Sequence, residues 1–163
     1  LYACNVEEEN AADGNTYSEA VAAIAAAEGA GTVIVSAAIE AEVAQLGEAE
    51  EKREYLETLG LSEAGLDRVI LAGYSLLDLI TFFTSGPKES RAWTVAAGTT
   101  AAPAAGKIHT DFERGFIAAE TISYADYIEC NGEQGAKDTG KMRLEGRDYT
   151  VQDADVILFR FNV

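Results

Sequence analysis

The sequence predicts an α/β arrangement over its first half and an α+β arrangement over its second. Three observations carry that expectation. A strand, helix, strand order occupies the first 35 residues, which is the pattern of parallel strands joined by a crossover. Apolar residues at helical spacing then run on towards residue 79. Beyond residue 80, short β-prone runs surround one helical stretch, the outline of a single helix packed on a small mixed sheet, as in a β-grasp. A chain of 163 residues with 48% hydrophobic content has the material for this, since a domain of that size buries roughly 70% of its unfolded surface.

The elements follow in order. Leu1-Tyr-Ala-Cys4 reads as a strand already under way, so the chain reads as a fragment. Tyr17 to Glu28 is Ala-rich and helical, and Gly29-Ala-Gly31 ends it before the β-branched run Thr32-Val-Ile-Val35. Glu40 to Leu59 reads as one acidic helix with Val43, Leu46, Tyr55, Leu56 and Leu59 as apolar contacts, its glutamates forming a solvated face. Leu66 to Leu79 gives the next helix. Ile80 to Thr84 and Ser90 to Val95 are strands about the turn Ser85-Gly-Pro-Lys-Glu89, Pro103 to Glu113 is helical, and Ala118 to Tyr124 is β-prone. The end alternates through Tyr149 and Val151, then Ile157, Phe159 and Phe161.

Charge narrows the function. A formal net charge of −16 argues against a protein that wraps DNA or coats an anionic membrane, because both depend on neutralising phosphates with Lys and Arg. Most of the cations, among them Lys88, Arg91, Lys107, Arg143 and Arg160, lie after residue 85, which leaves room for a locally basic face that meets RNA. No run reaches the ~18 apolar residues of a spanning helix, and no secretory leader is visible. Two cysteines make neither a disulfide scaffold nor a zinc spacing, which fits a reducing compartment, the cytoplasm. Cys4 reads as buried packing and Cys130 as a partly exposed thiol.

Three stretches could carry chemistry. Asn5-Val6-Glu7-Glu8 closes the first strand and Ser36-Ala37 closes the second, which resembles the purine-recognition end of a P-loop GTPase-type domain, where Asn-x-x-Asp and Ser-Ala motifs hold the base. An Asp there accepts two hydrogen bonds from the guanine edge. The extra methylene of Glu8 moves the carboxylate and removes the matched pair, a change worth about 1–3 kcal/mol of discrimination, and relaxes preference towards adenine. The bland reading of the same residues is a polar loop that ends a strand and caps a helix. Gly135-Ala-Lys-Asp-Thr-Gly140-Lys141 spells most of a phosphate-binding loop, but Met142 follows where a hydroxyl should hold magnesium and no strand precedes it, so it reads as a short surface helix or loop. His109 reads as a helix residue, with Asp111 and Glu113 as solvent-facing charges.

Together these stretches resemble the C-terminal part of the Obg-like ATPase or YchF family. The resemblance is carried by Asn5-Val-Glu-Glu8, Leu66-Asp-Arg-Val-Ile70, Phe83-Thr-Ser-Gly-Pro-Lys-Glu89, Arg91-Ala-Trp-Thr94, Ala104-Ala-Gly-Lys-Ile-His-Thr-Asp-Phe-Glu113, Gly132-Glu-Gln-Gly-Ala-Lys137, Arg143-Leu-Glu-Gly-Arg-Asp148 and Phe159-Arg-Phe-Asn-Val163. It implies two parts: residues 1–80 as the last portion of a P-loop NTPase domain, and residues 81–163 as a TGS domain, a ubiquitin-like β-grasp module. By this likeness Asn5 holds the adenine edge, Val6 lines the base site, Glu8 replaces the guanine-selecting Asp, and Ser36-Ala37 is the closing loop.

The same resemblance implies an intact protein that binds and hydrolyses ATP, with relaxed use of GTP, needs magnesium, is cytoplasmic and associates with the ribosome or ribosomal RNA through the TGS part. The phosphate-binding loop and its magnesium ligands have no counterpart in this chain, so no catalytic or metal residue is expected in it, it should not hydrolyse nucleotide alone, and it should hold none tightly. Ala118 stands where the family usually has Arg, which removes one candidate phosphate contact. The competing expectation is a non-catalytic module whose TGS part binds RNA, the ribosome or another protein.

Overall fold

A computed structural model describes residues 1–162 and separates into two compact units, Leu1–Leu77 and the chain from Asp78 onward. The first unit opens with strand β1 (Tyr2–Asn5) and one 3-10 turn at Glu8–Asn10, then runs through α1 (Thr16–Glu28), β2 (Thr32–Val35), α2 (Ala37–Val43), α3 (Ala49–Thr58) and α4 (Gly65–Leu76). β1 and β2 pair in parallel, Tyr2 opposite Thr32 and Asn5 opposite Val35. Helix α1 starts at a capping box: Asn15 accepts from the Tyr17 and Ser18 amides, and the Ser18 hydroxyl takes the Asn15 amide at 2.8 Å. It stops at Gly29, whose φ of 67° suits a residue without Cβ. The core of this unit is Ala11, Ile39, Val43, Leu56 and Leu61.

The expected single helix from Glu40 to Leu59 is two helices, α2 and α3, separated at Gly47. Glu48 caps α3 through a box with Glu51, a start signal inside what looked like one acidic run. The helix expected to reach Leu79 ends at Leu76; Asp78 takes a left-handed φ of 51°, and Leu79 already belongs to the next strand. Cys4 is half-buried on an open two-stranded sheet rather than packed in a core, and Cys130, at the end of the helix Tyr124–Glu129, is half-buried, as a partly exposed thiol should be.

The second unit contains β3 (Leu79–Ser85), β4 (Ser90–Ala96), α5 (Ala101–Ile108), α6 (Thr110–Arg114), β5 (Phe116–Ser123), α7 (Tyr124–Glu129), α8 (Glu133–Asp138), β6 (Arg143–Glu145) and β7 (Asp155–Phe161). Its five strands lie in the order β4-β3-β7-β5-β6; β3 and β7 run parallel and the other neighbours antiparallel. Phe82, Val95, Ala119, Ile157 and Phe159 from the sheet close on Ala101, Ala104 and Ala105 of α5, whose small side chains let the helix sit near the sheet. Phe82 meets Phe159 edge-on with ring centroids 5.9 Å apart.

The helix expected over Pro103 to Glu113 starts earlier and breaks in two. Pro103 sits in the first turn of α5, where its missing amide costs nothing, and His109 is extended with its ring Nδ1 accepting the Asp111 amide to start α6. Among the described residues no helix is long and apolar enough to cross a membrane.

Candidate nucleotide-base site

The loops that leave β1 and β2 emerge side by side because the strands are parallel and adjacent, so Asn5 and Ser36-Ala37 share the carboxyl edge of the sheet. That edge is where open α/β sheets take their ligands. The Asn5 Oδ1 accepts the Ala37 amide at 2.9 Å, and the Val6 amide donates to the Val35 carbonyl at 2.9 Å. The side chain expected to meet a base therefore also ties the two loops together. Val6 is buried, whereas Asn5 and Ala37 are exposed.

Ser36 is 2% exposed, and its hydroxyl has no partner. A buried hydroxyl without a bond costs about 1–3 kcal/mol, which marks Ser36 as a place where a ligand or a loop movement would supply the missing partner. Glu8 lies on the 3-10 turn and is exposed. Its carboxylate is close enough to be felt by Tyr55, whose hydroxyl donates to Glu42 and is pushed up to about 12, first by that bond and then by burial and by the Glu42 and Glu8 charges. A cleft runs along β1 and α1 past Asn5, Val6, Asn15 and Val21, while Glu8 faces a separate, shallow concavity with Glu7 and Glu9. The structure brings Asn5, Val6, Ser36 and Ala37 to one edge and leaves Glu8 at its rim.

Two residues that the sequence reading did not single out hold this edge in place. Glu40 accepts the Gly65 and Leu66 amides at 2.7 and 3.2 Å, and Arg68 donates through Nη1 and Nη2 to the Ala11 carbonyl, each at 3.3 Å. Only the pairing of a helix start with a distant carboxylate could have signalled Glu40, and nothing local signals Arg68, whose partner is 57 residues away.

The other candidates resolve into structure. Gly135 to Lys141 is helix α8 and its exit, with Gly140 at φ 73°, and α7 rather than a strand precedes it, so its amides close a helix instead of cradling phosphate. Asp111 pairs with Arg114 at 3.8 Å, and its amide donates to the His109 Nδ1 at 3.2 Å, which are local contacts of a short helix. Among the described residues no group of three His, Cys, Asp or Glu side chains could hold a metal ion.

Comparison with known proteins adds the family. Residues 79–162 match the family YchF-GTPase_C, described as a protein of unknown function (DUF933). The chain belongs to the YchF family. It is 59% identical over all 163 of its residues to the ribosome-binding ATPase YchF of Haemophilus influenzae, covering 44% of that protein. It is 53% identical to the ribosome-binding ATPase YchF of Bacillus subtilis, covering 45% of it. The structure of the Schizosaccharomyces pombe YchF GTPase superimposes with a TM-score of 0.84 at 31% identity, over 98% of this chain and 43% of that one. The chain thus spans less than half the length of the YchF relatives that it matches.

Proposed function

We propose that residues 1–80 are the base-recognition end of a P-loop nucleotide-hydrolysing domain that takes ATP in preference to GTP. One observation carries this reading: the Asn5 side chain bonds the Ala37 amide, so the end of β1 and the loop after β2 form one edge over the buried, unpartnered Ser36 hydroxyl. Asn5 presents an amide to the purine edge, Val6 gives the apolar wall, and Ser36-Ala37 closes over the ring. Glu8 holds its carboxylate at the rim, one carbon farther out than an Asp, where it cannot pair with both guanine donors.

In the whole protein, attack of water on the γ-phosphate is positioned elsewhere; this chain chooses the base. Magnesium would serve the phosphates, and the described residues offer no ligand set that fits it, so no step is routed through these side chains. We assign residues 81–163 to a TGS β-grasp. Counted within the second unit, the strand order is 2-1-5-3-4 with first and last strands parallel at the centre and α5 packed across the face, which supports that assignment. Relatives named as ribosome-binding ATPases support a cytoplasmic role at the ribosome for the protein that contains this chain.

The test is nucleotide-dependent melting of the full-length protein. ATP should raise the melting temperature more than GTP at equal concentration, because a ligand that binds only the native state stabilises it. Glu8→Asp should reverse or abolish that difference. Equal shifts for both nucleotides in both proteins would refute the reading. A second reading, a binding module without chemistry, requires the isolated chain to sediment with ribosomes in a salt-sensitive way.

A further inference from the structure

We infer that the first turn of α4 is a brace for the base site, with Arg68 and Glu40 as positioning residues that hold its two loops in register. The inference rests on the assignment of that edge to base recognition. Glu40 lies in the first turn of α2, and its amide donates to the Ser36 carbonyl at 3.0 Å. Its two carboxylate oxygens take the Gly65 and Leu66 amides, which are among the orphan donors at the start of α4, a charge-assisted pair of bonds at the positive end of that helix. The turn that carries Ser36-Ala37 is thereby fastened to α4.

Gly65 makes this possible. A Cβ there would stand 2.9 Å from the Glu40 Oε1, 3.3 Å from the Val35 Cγ1 and 3.4 Å from the Val35 Cα, so the start of α4 lies directly against the end of β2. Three residues on, one turn along the same helix, Arg68 reaches the opposite loop. Both of its terminal nitrogens converge on the Ala11 carbonyl. Ala11 is 2% exposed, and its amide closes the 3-10 turn by donating to the Glu8 carbonyl at 3.1 Å. Arg68 therefore grips the far end of the turn that carries Glu8, while Asn5 and Ala37 join the near ends of the two loops.

The Arg68 bonds end on a backbone carbonyl just past the turn that carries Glu8, the Glu40 carboxylate ends on the first amides of α4 while its own amide holds the Ser36 carbonyl, and the guanidinium still has a buried Nε without a partner. A guanidinium spent on one carbonyl, with a donor unused, is poor value as a core filler and well suited to fixing a loop whose position matters. Discrimination of a purine edge needs the recognising groups held to within about 0.5 Å, which a solvent-exposed turn does not achieve unaided.

The experiment compares Arg68→Met, Arg68→Lys and Glu8→Asp in the full-length protein, with Kd measured for ATP, for GTP and for magnesium tripolyphosphate, a probe without a base. Arg68→Met should raise the ATP Kd roughly tenfold, the scale of one charged hydrogen bond, and shrink the ATP-to-GTP ratio, while tripolyphosphate binds as before. Arg68→Lys keeps one donor and should recover part of the loss; it also serves if the methionine variant does not fold. A damaged fold would weaken all three ligands alike, and that result overturns the brace. If Glu8→Asp shifts the ATP-to-GTP ratio but both Arg68 variants leave it unchanged, the brace alone fails. If Glu8→Asp changes nothing, the base assignment fails and the brace with it.

Discussion

At Gly135 an added Cβ would stand 1.9 Å from the Cys130 carbonyl oxygen, and because the obstacle is backbone, no rotamer relieves it. Gly135→Ala should therefore cost about 1–3 kcal/mol, as overpacking does. Gly47, between α2 and α3, has nothing within 4 Å of the same position, so Gly47→Ala should stay within about 1 kcal/mol of the parent; urea midpoints of the two variants check the contrast. A second residue-scale effect sits at Tyr149, whose hydroxyl donates to the buried Asp155 at 2.8 Å. Burial first, and then that bond and the Asp155 charge, push the phenol from 10.0 to about 12. The group contributes stability that is fully present below pH 10.0, where the unfolded phenol is still neutral, and that is lost as pH rises towards 12. Tyr149→Phe should be less stable at neutral pH and should flatten the alkaline loss between those limits, which a denaturant titration at stepped pH would show. Single residues were also where the candidate site was most and least legible. Asn5, Glu8 and Ser36-Ala37 stand beside strand ends in the sequence, whereas Glu40 and Arg68 act across 25 and 57 residues and carry no local pattern.

Caps govern the elements. The Asn15 side chain takes the Tyr17 and Ser18 amides in the first turn of α1 at 3.0 Å each, and this 13-residue helix has few buried side chains to hold it otherwise, so Asn15→Ala should cost about 1 kcal/mol, read from the thermal midpoint. At α7 the cap carries a charge. Ser123 bonds Asp126, and that bond, with Lys141 at 2.9 Å, holds the Asp126 carboxyl below its ordinary 3.8. A lowered carboxylate stabilises above the unfolded value and loses that contribution as pH falls through the folded one. Asp126→Asn should thus destabilise the chain at neutral pH, with the gap to the parent closing below pH 3.8 in acid titration. The same caps explain what the sequence revealed of the elements and what it hid. Thr32-Val-Ile-Val35 and Ile80-Thr-Phe-Phe-Thr84 announce strands by β-branched and aromatic residues, whereas Leu79 reads as helix and belongs to the strand. Glu48 with Glu51, and Ser123 with Asp126, are start signals hidden inside acidic or β-prone runs, so the sequence shows α3 as a continuation of α2 and gives α7 no pattern of its own. The three-residue β6 offers too short an alternation to be seen, and exists because Leu144 falls opposite Glu120 on β5.

The two units differ in how much core they command. In the first, a two-stranded parallel sheet and the short core of Ala11, Ile39, Val43, Leu56 and Leu61 support four helices, and Leu66, Ile70, Leu71, Leu76 and Leu77 of and just beyond α4 remain exposed. Two strands alone are marginal in water. In the second, five strands bury Phe82, Val95, Ile157 and Phe159 under α5, and β3, β7 and β5 each pair on both sides. The cluster of buried apolar side chains is larger in the second unit and includes two phenylalanines, so burial stabilises that unit more. The single tryptophan, Trp93, lies on β4 within it, its indole donating to Thr84 at 2.9 Å and its ring covered by Arg91. Denaturant unfolding of this chain should therefore proceed in two steps: helical circular dichroism falls first as the first unit melts, and Trp93 fluorescence follows at higher denaturant. Superimposable curves from the two probes would mean that the units unfold as one cooperative body. The proposed base site sits in the less stable unit, so in the full-length protein ATP should move the early transition to higher denaturant and leave the Trp93 transition where it was.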